Sequence, residues 1–397
     1  MVKMPWKERT KAMLREEFIR EYKERQQTLS ELCRKYHISR PTAYKWLERA
    51  ANGENLNDRS REPFHKPRKT PENTEQQIVR KRLQYPTLGA AKLKRVLENE
   101  TGEKMPAVST INLILNRNGL ISKEASEKAA HYVRFEKSRP NEMWQADFKG
   151  DFAMLDGVRC HTLNIIDDHS RFNLCTEALP GESFAAVQPI VIRLFEEFGM
   201  PEVFQCDNGN PWGNAQHTGF TRFEVWLMEH GVLPCHSRIH HPQTQGKEER
   251  YNGILTQELL NRTTIADFKD AQRKYDEFRE FYNTVRPHHA LGLDTPAAHY
   301  LPSNRPYSPD VDDWEYESGA ILRQVRGNGY ISYKGHGYYL SEAFADRKVC
   351  VKECVNGKLT VIFRQFKVAS IDSVKHEFIY RRAYMLHNDP RSAAPEQ

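Results

Sequence analysis

Asp147, Asp207 and Glu249 are the side chains whose placement in this sequence most needs a chemical reason. Asp147 interrupts NEMWQADFKGDF, a run that reads as a β-strand carrying Met143, Trp144, Ala146 and Phe148. Asp207 directly follows the apolar VFQC and precedes a turn built by Asn208 and Gly209. Glu249 stands in the first turn of a helix that starts near Gly246. A carboxylate is costly to bury unless it is paired or binds a metal. Three acids from distant segments, with 59 and 41 residues between them, could converge on two divalent ions. Two ions ~3.5–4 Å apart stabilise both the attacking and the leaving oxygen of a phosphoryl transfer. Hard oxygen ligands favour Mg2+ or Mn2+. Spacing alone does not choose among 53 acidic residues. Glu248, Asp167, Asp168 and Asp151 compete, and salt-bridged surface acids would satisfy the composition equally.

The elements that must hold these acids follow from periodicity. After the first strand, VRCHTLNIID and RFNLCTEA read as two more strands around a turn at Asp167–Ser170. Ser183–Phe198 is helical, with Ala186, Val187, Ile190, Val191, Leu194 and Phe195 on one side. A short strand Val203–Cys206, a helix Phe220–His230, the segment Gly231–Cys235 and the polar loop SRIHHPQTQ lead to the helix bearing Glu249. The order βββαβαβα describes an α/β layer. Residues 262–290 read as one long amphipathic helix, and 302–317, rich in Pro, Asp and Ser, as a linker. From Ala320 to about Ile379 short β runs recur, with Asn356–Gly357 marking a hairpin. A small β-barrel is expected there.

Ahead of the α/β layer the chain is helical. Residues 10–26 carry Met13, Leu14, Phe18, Ile19 and Tyr22 at helical spacing. Thr28 and Glu31 form a capping box for a second helix, and Ser39 with Pro41 opens a third. Two short helices around the break at His37–Ser39 make a helix-turn-helix, which presents polar residues near the start of its second helix. Those are Arg40, Thr42, Tyr44 and Lys45; an ordinary helical hairpin would look the same. Residues 51–73, with Arg59, Arg61, Lys66, Arg68 and Lys69 among prolines, read as an extended basic linker. It could follow a DNA groove or be a plain solvated spacer. Helices over 74–84, 90–99 and 110–117 form a second such unit, the last capped by Ser109, and 122–140 is a charged connector.

Composition agrees with this division. Residues 1–140 hold 31 basic and 18 acidic side chains, a net of +13, so the whole-chain +6 leaves −7 for the rest. A basic front suits nucleic acid. Mean hydropathy is −0.76, and no apolar run approaches the ~20 residues that cross a bilayer. The seven cysteines are irregularly spaced without a CxxC pair, which points to a reducing compartment and away from a disulfide framework or a zinc site.

Taken together, WQADFKGDF, NIIDDHSRF, CDNGNPW and HPQTQGKEERYNGIL resemble the integrase core of bacterial insertion-sequence transposases, which retroviral integrases share. The resemblance covers about 141–300. It implies an RNase H-like catalytic core whose DDE triad is Asp147, Asp207 and Glu249. Glu248 and Glu249 point ~100° apart on a helix, and the family pattern, with its acid just before Arg-Tyr-Asn, selects Glu249. Asp167 and Asp168 then become supports of the loop between strands. Gln243 and Gln245 could touch DNA near the reacting phosphate, and Lys247, Arg250 and Asn252 could hold phosphates or equally form a solvated helix face. His240 and His241 need no catalytic role, because metals can activate the nucleophile directly.

The implied protein is multidomain: α-helical helix-turn-helix domains, an α/β RNase H-like core and a small C-terminal β-barrel. Its expected segments are a DNA-binding domain 1–50, linker 51–73, second helix-turn-helix 74–121, connector 122–140, core 141–301, linker 302–318, SH3-like β-barrel 319–384 and disordered tail 385–397. The resemblance implies a transposase that binds terminal inverted repeats and performs 3′-end cleavage and strand transfer. It would use two Mg2+ or Mn2+ ions per active site and act as a dimer or larger homo-oligomer on double-stranded DNA. It would work in the bacterial cytoplasm at the nucleoid, with no membrane partner. An integrase-like DNA-binding regulator without catalysis is the alternative, and a plain metal-dependent nuclease a third reading.

Overall fold

The computed structural model describes residues 10–59, 70–121, 136–207, 209, 211–213, 219–236, 246–354 and 357–386. The chain divides into two compact units, one up to residue 69 and one from residue 70 onward. Among the described residues no helix is long and apolar enough to cross a membrane.

In the first unit, helices α1 (Lys11–Lys23), α2 (Leu29–Lys35) and α3 (Arg40–Ala51) enclose Phe18, Ile19, Leu32, Cys33 and Ala43. The expected caps form. Thr28 accepts from the Glu31 N–H while the Glu31 carboxylate accepts from the Thr28 N–H at 2.8 Å. Ser39 caps α3, with Pro41 in its first turn, where its missing N–H costs nothing. Trp46 is clamped by Arg15, whose guanidinium lies 3.7 Å from the ring centroid.

The second unit begins with helices α4 (Glu72–Gln84), α5 (Ala90–Thr101) and α6 (Val108–Arg117) around Ile78, Leu93, Val96, Leu97, Ile111 and Leu115. The start of α6 differs from expectation. Ala107 occupies the cap position and Ser109 lies inside the helix. This bundle packs on the α/β layer through Tyr85 stacked on Phe281, centroids 4.8 Å apart, and the Arg95–Asp294 ion pair at 2.6 Å.

The α/β layer is a five-stranded sheet in the order β3-β2-β1-β4-β5. Its strands are β1 (Met143–Ala153), β2 (Arg159–Asp167), β3 (Asn173–Leu179), β4 (Val203–Cys206) and β5 (Leu233–His236). The first three pair antiparallel, whereas β4 and β5 run parallel to β1. One face meets α7 (Phe184–Phe198) and α8 (Arg222–Glu229) over Trp144, Ala146, Leu163, Ile165, Phe204 and Phe195. The other meets α9 (Gly246–Leu255) and α10 (Phe268–Glu280) over Cys160, Ile166, Tyr251, Leu255 and Tyr275. Alternate residues of each strand serve opposite faces, as the pleat requires. The helix expected over 262–290 is shorter. Asp267 caps it, accepting from the Asp270 N–H at 2.8 Å, and its last turn widens into a π-helical stretch, Phe281–Val285.

The C-terminal module corrects the β-barrel expected over 319–384. Five strands, β6 (Leu322–Gln324), β9 (Lys348–Glu353), β10 (Lys358–Phe363), β11 (Phe366–Asp372) and β12 (Glu377–Met385), form an open antiparallel sheet in the order β12-β11-β10-β9-β6. A separate hairpin pairs β7 (Tyr330–Tyr333) with β8 (His336–Tyr339). No pairing closes the sheet among the described residues. The open form is stable because its apolar face is shared with α8: Phe220, Val225 and Met228 join Val325, Leu340, Phe344, Val361 and Phe366 in one cluster. Residues 302–318, expected to be a linker, are anchored to the core in their first part. The Met200 N–H donates to the Arg305 carbonyl at 2.8 Å, and Arg305 donates to the Gly231 carbonyl at 2.7 Å.

Candidate active site

Strand pairing explains why Asp147 and Asp207 meet. In the parallel β1–β4 ladder Trp144 faces Phe204 and Gln145 faces Gln205. Two residues further along each chain, Asp147 lies inside β1 and Asp207 just past the end of β4, and the carboxylate of Asp207 acts on that of Asp147. Asp147 also faces Asn164 of β2. Its Oδ2 accepts from Asn252 Nδ2 at 2.8 Å, and Asn252 Oδ1 accepts from Asn164 Nδ2 at 2.7 Å. Asp207 Oδ1 accepts from the Gly209 N–H at 2.9 Å. A Cβ on Gly209 would sit 3.2 Å from that carboxylate, so glycine leaves it room.

The electrostatics of the pair are those of carboxylates partly withdrawn from water and close to each other. Burial, then the neighbouring Asp207, pushes the Asp147 carboxyl up to about 6. Burial also raises Asp207, opposed by the Gly209 N–H and by His236. His236 donates through Nδ1 to the Asp207 carbonyl at 2.7 Å and through Nε2 to Glu224 at 2.9 Å. Burial disfavours its charge, yet these bonds hold its pKa above the ordinary value.

Helix α9 carries the adjacent Glu248 and Glu249, and their burial is the reverse of what the choice of Glu249 leads one to expect. Glu248 is buried at 6 % exposure, whereas Glu249 is exposed. Burial, then Asp147 and Asp207, drives the Glu248 carboxyl well above its ordinary range. Its Oε1 is buried and has no hydrogen-bond partner among the described residues. The inward stripe Glu248, Tyr251, Asn252 and Leu255 has i, i+3, i+4, i+7 spacing. That stripe was the sequence signal that would have found Glu248. Among the described residues no three His, Cys, Asp or Glu side chains stand close enough to hold a metal as they are. An orphaned carboxylate oxygen beside two mutually repelling carboxylates nevertheless has the chemistry of a divalent-cation site.

Two residues expected to hold DNA phosphates are engaged inside the protein. Lys247 Nζ forms an ion pair with Asp168 Oδ1 at 2.5 Å, and Asn252 spans Asp147 and Asn164. Both are drawn inward because the buried carboxylate of Asp168 and the half-buried one of Asp147 need donors. Arg250 is exposed. Gln243 and Gln245 lie outside the described residues, as do Arg61, Lys66, Arg68 and Lys69 of the basic linker. Arg59 is exposed and paired with Glu54 at 2.6 Å. On α3, Arg40 donates to Ser30 Oγ at 2.5 Å, Thr42 Oγ1 meets Ser39 Oγ at 2.8 Å, and Tyr44 and Lys45 are exposed. Asp167 supports its loop, accepting from the Asn141 and Ser170 N–H groups at 2.7 and 2.8 Å. Asp151 is paired with Arg159 at the surface.

Known families match along most of this architecture. The integrase core domain matches at residues 137–242 and again at 230–296. A helix-turn-helix domain matches at 14–64 and a homeodomain-like domain at 42–115. The IS481 family transposase, C-terminal domain, matches at 321–378. This domain content is similar to that of integrase-family transposases of bacterial insertion sequences. The insertion element IS476 protein of Xanthomonas euvesicatoria is 27% identical over 40% of this chain and 44% of its own length. The insertion element IS407 protein of Burkholderia multivorans is 26% identical over 40% of this chain and 54% of its own. The chain thus spans about half the length of these relatives. A solved HTLV-2 integrase catalytic core domain in complex with magnesium matches at 16% identity, over 41% of this chain and 97% of that one, with a TM-score of 0.31.

Proposed function

We propose that this chain catalyses DNA transposition by metal-dependent phosphoryl transfer: 3′-end cleavage at the ends of an insertion element, then transfer of the freed 3′-OH to target DNA. The observation that carries the reading is the Asp147–Asp207 pair, brought together by adjacent central strands and close enough that the charge of Asp207 raises the Asp147 carboxyl. Asp147 and Asp207 would hold two Mg2+ or Mn2+ ions together with a carboxylate from the first turn of α9. Bound there, the ions would supply a nucleophile at neutral pH and stabilise the attacking and leaving oxygens. Asn252 fixes the rotamer of Asp147, and the Gly209 N–H and the His236–Glu224 dyad fix the turn of Asp207. Arg40, Thr42, Tyr44 and Lys45 on α3 supply groove contacts for the terminal repeats, and Arg250 a phosphate contact. Because two ends must be joined together, the working species on DNA is a dimer or larger homo-oligomer, acting on DNA in the bacterial cytoplasm.

For the third ligand, the sequence pattern supports Glu249 and the inward burial supports Glu248. Glu248→Gln and Glu249→Gln separate them: the true ligand's variant is expected to lose at least ~100-fold in joining, the other to keep most of it. A mixture of protein, labelled end DNA, plasmid and Mg2+ tests the whole reading. Joined products support it, nicks alone indicate a nuclease, and a bare band shift indicates a non-catalytic regulator. Asp207→Asn is expected to abolish joining while end-DNA binding persists. A variant that still joins strands would remove Asp207 from the site.

A further inference from the structure

We propose that Asp168 and Lys247 form a latch that positions helix α9, and with it the third carboxylate, against the acid pair; this rests on the phosphoryl-transfer reading above. Asp168 closes the end of β2 and is 2 % exposed. Its Oδ1 accepts from Lys247 Nζ at 2.5 Å and from Gln145 Nε2 at 2.9 Å. Its Oδ2 accepts from the Lys137 N–H at 2.9 Å. Gln145 lies two residues before Asp147, so it points to the same face of β1. One buried carboxylate therefore ties the strand that carries Asp147 to the helix that carries Glu248 and Glu249.

The tie acts where α9 is least fixed by itself. The first N–H groups of a helix have no partner within the helix, so its first turn depends on side chains and tertiary contacts. Lys247 is in that turn, one residue from Glu248 and two from Glu249. Successive residues on a helix are ~100° apart, so a rotation of this turn by about that angle exchanges the glutamate that faces Asp147. Lys247 Nζ is held at Asp168, with the Asp168 carbonyl a further 3.4 Å contact, which fixes that rotation. Lys247 and Asp168 are positioning residues: their side chains act on α9, and through it on the acids.

The test uses the full chain with Lys247→Met, Lys247→Arg and Asp168→Asn, folding being followed by circular dichroism. Three readouts are taken: Mn2+ affinity by electron paramagnetic resonance, end-DNA affinity in Ca2+, and the split of joining between kcat and KM. Loss of an outer support of a metal site costs about 10–100-fold in metal affinity or activity. Lys247→Met and Asp168→Asn are each expected to lower Mn2+ affinity and kcat by that factor, with DNA affinity unchanged within about twofold. Lys247→Arg is expected to recover most of both. Lys247→Met with wild-type Mn2+ affinity and kcat overturns the latch. So does a loss confined to DNA affinity, which would make Lys247 a phosphate contact. If Lys247→Met fails to fold, Asp168→Asn against Lys247→Arg decides by the same criteria. If the wild-type chain binds Mn2+ but joins no DNA, the transposition reading fails, and the Mn2+ affinities still decide the latch.

Discussion

At the scale of single residues, the site is organised by carboxylates partly or wholly withdrawn from water. Asp147 shows the consequence for stability. Its carboxyl sits at about 6 in the fold against an ordinary 3.8, so the native state holds the proton more tightly than the unfolded chain does. A raised pKa contributes stability that is fully present below the unfolded value and is lost as pH rises through the folded one. In EDTA, Asp147→Asn is therefore expected to be more stable than wild type by ~1–3 kcal/mol at about pH 7.5, with the gap closing towards about pH 4. Thermal melts across that range check it, and a gap independent of pH would refute the assignment. Divalent cations should act in the opposite sense, strengthening wild type as pH rises and the ligands deprotonate. Asp147 and Asp207 were legible in the sequence because acids inside or at the end of apolar strands are rare. Lys247 was not, because a lysine in the first turn of a helix looks solvated until the buried Asp168 is placed opposite it.

At the scale of elements, position is set by caps, registers and close approaches. Thr28 and Ser39 could be read directly, since a capping box is a pattern within four residues. The phase of α9 was also written locally, in the stripe Glu248, Tyr251, Asn252 and Leu255. It was obscured because Asn and Glu do not look like core residues. The end of α7 shows a constraint of another kind. Gly199 has φ +72, and a Cβ there would lie 2.5 Å from the Ser303 carbonyl oxygen. Gly199→Ala combines left-handed backbone strain with a backbone clash, and is expected to cost ~2–3 kcal/mol. Chemical denaturation measures this, and an unchanged midpoint would show that 302–305 can lift away from the core. Nothing in the sequence of residues 302–318 reveals that anchoring, because the contacts are to backbone groups 74 or more residues away.

At the scale of the whole molecule, the C-terminal module is a covering for part of the α/β layer. Phe220, Val225 and Met228 belong to the core by sequence, but are buried by the module. Arg347 pairs with Glu229 at 2.6 Å, and Ser341 Oγ donates to the Phe220 carbonyl at 2.7 Å. Arg382 of β12 reaches the carbonyl of His236 at 3.1 Å, next to the acid pair. A chain ending at residue 318 would expose that apolar patch. It is expected to aggregate or to melt several degrees lower than the full chain, since exposed patches of this kind drive association. Gel filtration and thermal melts of the two forms check this, and a monomeric truncation as stable as the full chain would show the module to be dispensable for folding.

The sequence by itself determined the helical front, the order of strands and helices in the core, the two aspartates and the family to which their motifs point. These depend on periodicity, capping and turn chemistry, which act over a few residues. Only the tertiary structure decided that Glu248 faces inward, that Lys247 is spent on Asp168, and that the last sheet stays open by sharing its apolar face with α8. Each of those outcomes depends on which distant surface a side chain meets. A buried carboxylate or an unfinished apolar face selects its partner only when the chain has folded around it.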